Sequence, residues 1–589
     1  MVATTVSFIT FESVYRKTLL MKNYLPVIIA LFMCFNVFSQ EQIKSTFRGK
    51  YHMMSPDELL KGTKNTKEFV ETAAPSGSVR AIAEFEPMQS VIVAYMSGYG
   101  GYFGIPVNLI ASFSEIVTVI TIVESTSQQA DVLDFYNANG VTTSNCEFLI
   151  APVDSYWSRD YSPWFISVND EICVLDFPYD RPSRPNDDEI PVEFANAYGL
   201  TLYGMDLVQT GGNFMCDGMY AGASTDLVEE ENTSLSTTAI QTKIEDYMGI
   251  SNYHITADPL GDYIKHIDCW GKFLDVDKIL IGQVSTSSSQ YDEYEAMAEY
   301  WANQNSSYGN KYQVFRTYAP NGQPYTNSLI LNNRVFVPIV EGTGSSWNDD
   351  AVAVYQAAMP GYEVLTFVEE PDSPWESTDA LHCRAHEVPD FDMLHIFHLP
   401  TLGDVPWATE YPIEAEIIPY SSASVSSAVL RYQVDGGAFT EVNMTNTAGD
   451  TYQGIIPELP GNSVVGYYIH AETNTSKTAN HPFIGAPDPH VFTIGEGTGI
   501  AEAETSVSMR VYPNPADNEI FVNVFTDVAR EVHLSILDVT GKVMLSESYE
   551  VHAGNVIKQY NVSSFAKGIY MVKIISGQDV LMTGKISIE

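Results

Sequence analysis

Three short stretches of the chain gather side chains that can do acid, base or nucleophilic work. The first is Tyr156-Trp-Ser-Arg-Asp-Tyr-Ser-Pro-Trp164, where one acid, Asp160, sits among aromatic rings. A carboxylate in that setting can pair with a planar cation that stacks on the rings. Equally, it can be a structural acid paired with Arg159 in a buried loop. The second stretch is Tyr263-Ile-Lys-His-Ile-Asp-Cys-Trp270. His266 and Asp268 alternate along what reads as a strand, which would turn a base and an acid to one face. The same pair could hold a metal, or be a core histidine satisfied by its neighbour. The third stretch is Asp379-Ala-Leu-His-Cys-Arg-Ala-His386. Cys383 is a candidate nucleophile if nearby positive charge or a helix N-terminus lowers its pKa. His382 and His386, flanking it, could instead ligate zinc on a helix. A structural zinc site calls for a second Cys/His pair at suitable spacing, and none is near.

Those residues need a scaffold, and the sequence from Val79 to about Pro400 has the texture of one. Short apolar runs predict strands at Ser90–Ala94, Ile116–Val123, Ile172–Phe177, Ile279–Val284 and Val335–Val340. Between them, Gln129–Asn139, Thr237–Met248, Tyr291–Asn303 and Asp350–Met359 predict helices. This is an α/β pattern. After Pro400 the helices stop. Residues 403–495 show alternating strands with turn signals, such as Ala428–Val434 before Asp435-Gly-Gly, and predict a small β-sandwich. A linker at 496–506 leads to a further all-β unit at 507–589, with Val511-Tyr-Pro-Asn-Pro515 and Gly568-Ile-Tyr-Met-Val-Lys-Ile574.

Composition narrows the function. The chain has 589 residues, a formal net charge of −44 and only 30 lysines and arginines. A nucleic-acid partner is excluded, because a phosphate-tracking surface needs basic side chains. The charge serves solubility outside the cell and is compatible with a cationic partner. Lys22, the apolar run Leu25–Phe38 and then Ser39-Gln40 come in signal-peptide order, so residues 1–40 read as a signal peptide with Met21 as its start. Residues 41–78 read as an N-terminal arm or pro-segment. No later stretch reads as a membrane span, so the mature protein is expected to be soluble and exported. Removal of Cys34 with the signal leaves Cys146, Cys173, Cys216, Cys269 and Cys383, an odd set that implies a free thiol or an intermolecular bridge.

The chain order Asp160, His266 with Asp268, then Cys383 resembles that of the guanidino-group-modifying enzymes. With Trp-Ser-Arg-Asp-Tyr, Thr210-Gly-Gly-Asn213, His-Ile-Asp-Cys-Trp and Leu-His-Cys-Arg, the region from Arg80 to Pro400 is most similar to the Porphyromonas-type peptidylarginine deiminases and the neighbouring agmatine deiminases. The resemblance implies a five-bladed α/β propeller over 79–402, followed by an immunoglobulin-like sandwich. The C-terminal unit resembles a type IX secretion sorting domain, with the secretion machinery as partner and a secreted or cell-surface location. It implies hydrolysis of peptidyl-arginine to citrulline and ammonia, without metal or cofactor. Cys383 would be the nucleophile, His266 the acid and base, and Asp160 and Asp268 the carboxylates that bind the guanidinium; Asn327 would be the active-site asparagine. Trp157 and Tyr263 would contact the substrate, and Arg181 and Arg184 would grip the C-terminal carboxylate of an arginine peptide, unless they pair with Asp187 and Asp188. Three rivals remain. One is a deiminase of agmatine or free arginine. A second is a cysteine peptidase, which would want an oxyanion hole. The third is an inactive adhesin.

Overall fold

A computed structural model gives the fold and describes residues 69–96, 103–261, 264–371, 373–495, 507–516, 518–526, 529–551, 554–577 and 579–588. The expected signal peptide, most of the expected N-terminal arm and Tyr263 lie outside the described residues. The chain divides into two compact units, Met1–Thr66 with Arg181–Ser183, and Lys67–Asp180 with Arg184–Glu589. The sheets and helices that follow all belong to the second.

The α/β region holds five separate small sheets. Four of them repeat one construction: an antiparallel pair, then a helix that carries the chain over to a parallel outer strand. Trp164–Val168 and Glu171–Asp176 pair antiparallel, and helix Ile190–Tyr198 leads to parallel Leu202–Gly204. Met215–Cys216 and Ala221–Thr225 do the same through helix Thr237–Met248 to Asn252–Thr256. Gly271–Asp275 and Lys278–Gln283 use helix Tyr291–Asn303 to reach Gln313–Tyr318. Leu329–Leu331 and Arg334–Ile339 use helix Asn348–Ala358 to reach Glu363–Val368. The remaining sheet is closed by distant parts of the chain. His386–Pro389, from the end of the region, pairs antiparallel with Met88–Ala94 from its start, and Thr118–Val123 and Cys146–Ile150 follow in parallel.

The sequence explains these elements. Ser90-Val-Ile-Val-Ala94 is apolar without alternation because that strand is interior to its sheet and covered on both faces; Val91, Ile92, Val93 and Ala94 are all buried. Helix Thr237–Met248 turns Ile240, Ile244, Tyr247 and Met248 inward at helical spacing, is capped by the Ser236 side chain, and stops at Gly249 in the left-handed region. The predicted strands and helices of this region are therefore present, with ends displaced by at most three residues, the largest shift being the start of Thr126–Ala138.

Beyond it every element among the described residues is a strand. Leu394–Phe397, Glu410–Pro419, Thr451–Pro457 and Thr445–Ala448 form one sheet, and a second is built around Val425–Val434, Val464–Thr473 and His490–Ile494. Their inward residues, including Ile413, Ile417, Leu430, Ile456, Val465 and Phe492, share one core. The alternation along Glu410–Pro419 fixes its register, since a one-residue slip would expose the whole buried set. Two further sheets from Val507 onward pack Ile520, Val522, Val524, Leu534, Ile536, Val572 and Ile574.

Three buried histidines join this β region to the α/β region. His481 Nδ1 and His490 Nε2 lie 3.0 Å apart, His398 Nε2 lies 2.9 Å from the Tyr467 hydroxyl, and Tyr308 of the α/β region stands 3.4 Å from His481 Nε2. Burial lowers all three, with His398 brought down from 6.5 to about 4. A histidine whose folded pKa is depressed stabilises the fold above its unfolded value, and that stability drains away as pH falls below it. For His398 the cost is on the order of 3 kcal/mol by the bottom of that window. Thermal unfolding followed against pH should show Tm falling between about pH 6.5 and 4, and His481→Asn should blunt the fall.

Candidate active site

Each of the five sheets is entered through a tight turn, and each turn carries a polar side chain. Ser158–Tyr161 presents Asp160 ahead of Trp164–Val168. Gly211–Asn213 precedes Met215–Cys216, and Ile267–Cys269 presents Asp268 ahead of Gly271–Asp275. Asn327 closes a turn onto Pro324 O just before Leu329–Leu331. His382–Arg384 carries Cys383 ahead of His386–Pro389. Equivalent points of five sheets thus deliver one group each.

Four of the turns meet around the Cys383 thiol. Asn327 Nδ2 donates to Cys383 Sγ at 3.3 Å and to Asp268 Oδ2 at 3.2 Å, while its Oδ1 accepts from the His382 and Cys383 amides at 2.9 and 3.3 Å. Cys383 Sγ lies 3.8 Å from Asp268 Oδ2. His266 Nδ1 lies 3.7 Å from Asp160 Oδ1, and both side chains are fully buried. The fifth turn explains the Thr-Gly-Gly-Asn motif. A methyl group on Gly212 would come within 2.5 Å of His266 Nδ1 and 2.9 Å of Asp160 Oδ1, so only glycine lets these two approach. Asn213 holds the turn by accepting from the Thr225 amide at 2.9 Å.

Two readings from spacing are corrected here. His266 and Asp268 do not share the face of a strand: His266 is extended and caps a 3-10 turn, and Asp268 lies within that turn. His382 and His386 do not lie on one helix either. His382 is in the 3-10 turn and His386 opens a strand, where its Nε2 sits 2.9 Å from Pro163 O. Short turns defeat a period-of-two or period-of-four reading because they reset the backbone direction every few residues.

The charges around the thiol set its chemistry. Burial pushes Cys383 up to about 11; the Cys269 thiol beside it pulls the other way, and Asp268, Asp379 and Asp160 push it further up. Burial opposes ionisation of Asp268 too, but the hydrogen bond and charge of His382, 2.7 Å away, together with His266, hold its carboxyl below the usual range. The site at rest is thus a protonated thiol among carboxylates, and an arriving cation would tip the thiol toward thiolate.

The supporting layer was not legible beforehand. His382 Nε2 lies 2.9 Å from Glu84 Oε2, which also takes the Lys272 ammonium at 2.6 Å. Burial alone would raise Glu84, but Lys272 and His382 hold it well below the carboxylate range. Arg159 pairs with Glu387, not Asp160, and its Nε donates to His382 O at 3.3 Å. Arg384 clamps Asp379 and stacks on Tyr156 and Trp375, which fixes the turn that carries the thiol.

Of the residues expected to contact substrate, Trp157 and Arg184 are brought together: the Arg184 guanidinium lies 5.0 Å from the Trp157 ring centre, and both are buried. Arg184 acts on Asp187, whose carboxyl burial raises to about 7. Asp187 in turn accepts from the Ser155 hydroxyl at 2.7 Å and so pins the loop that leads into Trp157. Asp188 accepts from the Tyr179 amide at 2.7 Å. Arg181 is buried but belongs to the other compact unit. All five described cysteines are free.

A family model described as Porphyromonas-type peptidyl-arginine deiminase matches residues 80–389. A second, described as a secretion system C-terminal sorting domain, matches residues 510–589. Among solved structures, an agmatine deiminase of Enterococcus faecalis is 17% identical over 55% of this chain and 99% of its own, with a TM-score of 0.47. An agmatine deiminase of C. jejuni is 17% identical over 54% of this chain and 98% of its own, with a TM-score of 0.44.

The thiol environment can be read directly. Alkylation of Cys383 by iodoacetamide in the free protein should accelerate with pH up to about 11. Asp268→Asn removes a charge that disfavours the thiolate, so its midpoint should fall; an unchanged midpoint would show that Asp268 does not act on the thiol.

Proposed function

Because the chain belongs to the Porphyromonas-type peptidyl-arginine deiminase family, we propose that it converts arginine in a peptide, at the C-terminal position, to citrulline with release of ammonia. Membership makes it a hydrolase of guanidino C–N bonds. The sorting domain makes it a secreted or cell-surface protein with the type IX machinery as its export partner. The observation that carries the substrate class is the pair of buried carboxylates, Asp268 beside the thiol and Asp160 beside the imidazole. Two acids around one small space suit a delocalised cation, and they would repel an acyl oxyanion.

In this reading the guanidinium docks between Asp160 and Asp268, and its charge offsets theirs so that Cys383 can give up its proton to water. The thiolate attacks the guanidinium carbon and forms a C–S bond. His266 gives a proton to one terminal nitrogen as its C–N bond breaks, and ammonia leaves. The thiouronium that remains is attacked by water, whose proton passes to the now neutral His266. Collapse expels the thiolate, which takes up the hydroxyl proton to restore the thiol, and leaves the ureido group of citrulline. Asn327 steadies the thiolate by its N–H···S bond. Arg184, and Arg181 beside it in sequence, would meet the peptide carboxylate, with Trp157 and Tyr263 against the arginine stem.

We also propose that the five sheets ring a pseudo-fivefold axis as a propeller over residues 79–402. The repeated sheet construction, and the delivery of one polar group by each entry turn, support it. An immunoglobulin-like sandwich would follow over 403–495, a linker over 496–506 and the sorting domain over 507–589, after a signal peptide at 1–40 and an arm at 41–78.

Citrulline formation tests the function. A peptide ending in free arginine should turn over, its amidated form and agmatine should not, and Cys383→Ala should abolish the product. Agmatine turnover alone would assign a small-amine deiminase instead. Gly212→Ala, by pushing His266 from Asp160, should lower kcat/KM on the order of 10²-fold; full activity would remove the close approach from the mechanism.

A further inference from the structure

His382 stands between two carboxylates. Its Nδ1 lies 2.7 Å from Asp268 Oδ2 and its Nε2 lies 2.9 Å from Glu84 Oε2. A neutral imidazole has one N–H; only the protonated ring has two. A neutral His382 would set a ring lone pair against a carboxylate oxygen, in a place where the side chain is 4% exposed. Glu84 does not supply the missing proton, because the Lys272 ammonium 2.6 Å away keeps it ionised.

The surrounding charges agree. Glu84 comes from the segment before Met88–Ala94, Asp268 and Cys269 from the Ile267–Cys269 turn, and Lys272 from Gly271–Asp275. Arg159 comes from Ser158–Tyr161, His386 and Glu387 from His386–Pro389, and His266 and Cys383 complete the set. Glu84, Asp268, Lys272, Arg159, Glu387, His382 and His386 all line one 70 Å³ cavity. Three carboxylates there, Glu84, Asp268 and Glu387, face two basic side chains, Arg159 and Lys272. A protonated His382 supplies the missing positive charge.

We infer that His382 is a positioning residue for the deimination proposed above: a standing imidazolium, anchored through Glu84 to Lys272, that braces Asp268 as the seat of the guanidinium. This rests on Asp268 being a guanidinium-binding acid. His382 is well placed for it, because its own amide is held by Asn327 and its neighbour in sequence is Cys383, so one turn fixes nucleophile and acid together. Lys272 belongs to the device through Glu84 alone, which explains a buried lysine whose pKa burial lowers and Glu84 raises.

Nitrogen NMR of the full chain labelled with 15N-histidine reads the charge state directly, the His382 signal being assigned by its loss in His382→Gln. At about pH 8, where an ordinary histidine is neutral, both His382 ring nitrogens should show the imidazolium signature. One bare and one protonated nitrogen would overturn the inference. Kinetics read the positioning. Glutamine can donate to only one of the two acids, so His382→Gln should raise KM for an arginine peptide by roughly 10- to 100-fold and lower kcat less. Glu84→Gln keeps an acceptor oxygen but removes the charge; it should raise KM in the same sense and turn the His382 signal neutral, and it serves where His382→Gln fails to fold. Unchanged KM in both variants defeats the positioning role. Citrulline production by a wild-type chain with neutral His382 defeats this inference and leaves the deiminase reading standing; an imidazolium in a chain that turns over no guanidino substrate does the reverse.

Discussion

Negative charge buried beside a thiol is the constraint on which the rest of this molecule turns. Asp160 and Asp268 lie in an interior where an isolated carboxylate would rather be neutral, and each makes the Cys383 thiolate harder to form. The chain meets that cost with a second layer of basic side chains. His382 touches Asp268, Lys272 touches Glu84, and Arg159 is taken up by Glu387 and by the backbone of His382. What the protein does not neutralise, a cationic substrate can. In the proposed reading a guanidinium completes the site, and Cys383 stays protonated until that happens.

Such a charge cluster works only if its members are held to within a fraction of an ångström, and the scaffold does this by repetition. Every sheet presents its entry turn, and turns of three or four residues have little freedom once both ends are tied to strands. The region's last strand pairs with its first long one, so the turn bearing Cys383 is locked to the start of the α/β region. Arg384 adds a buried clamp on the same turn, through Asp379, Ser373 and Gly104 O. The β units beyond share no residue with the site. Their contribution is to export, through the sorting domain, and to an acid-sensitive histidine seam.

Much of this was legible in the sequence, for physical reasons that differ by element. Helices such as Tyr291–Asn303 declare themselves by period, and interior strands such as Lys278–Gln283 by unbroken apolar runs. The chemical residues stood out because aspartate, histidine and cysteine are costly to bury without use. Their geometry was not legible. A histidine and an aspartate two positions apart suggested a strand face, and the chain uses a 3-10 turn. The supporting layer was invisible because its partners are far apart in sequence: Glu84 and His382 are separated by 298 positions, and nothing local marks either. Gly212 carried a signal within the Thr-Gly-Gly-Asn motif, but its reason, the approach of His266 to Asp160, exists only in three dimensions.

The central claim is that Cys383 becomes covalently joined to the guanidinium carbon when the substrate's charge completes the site. Rapid acid quench of the protein with an arginine peptide, followed by intact and peptide-level mass spectrometry, tests it most directly. The account predicts a transient adduct on Cys383 with the mass of the peptide less ammonia, absent from Cys383→Ser. Citrulline formed at full rate by Cys383→Ser, or an adduct mapped to Cys269 instead, would contradict it.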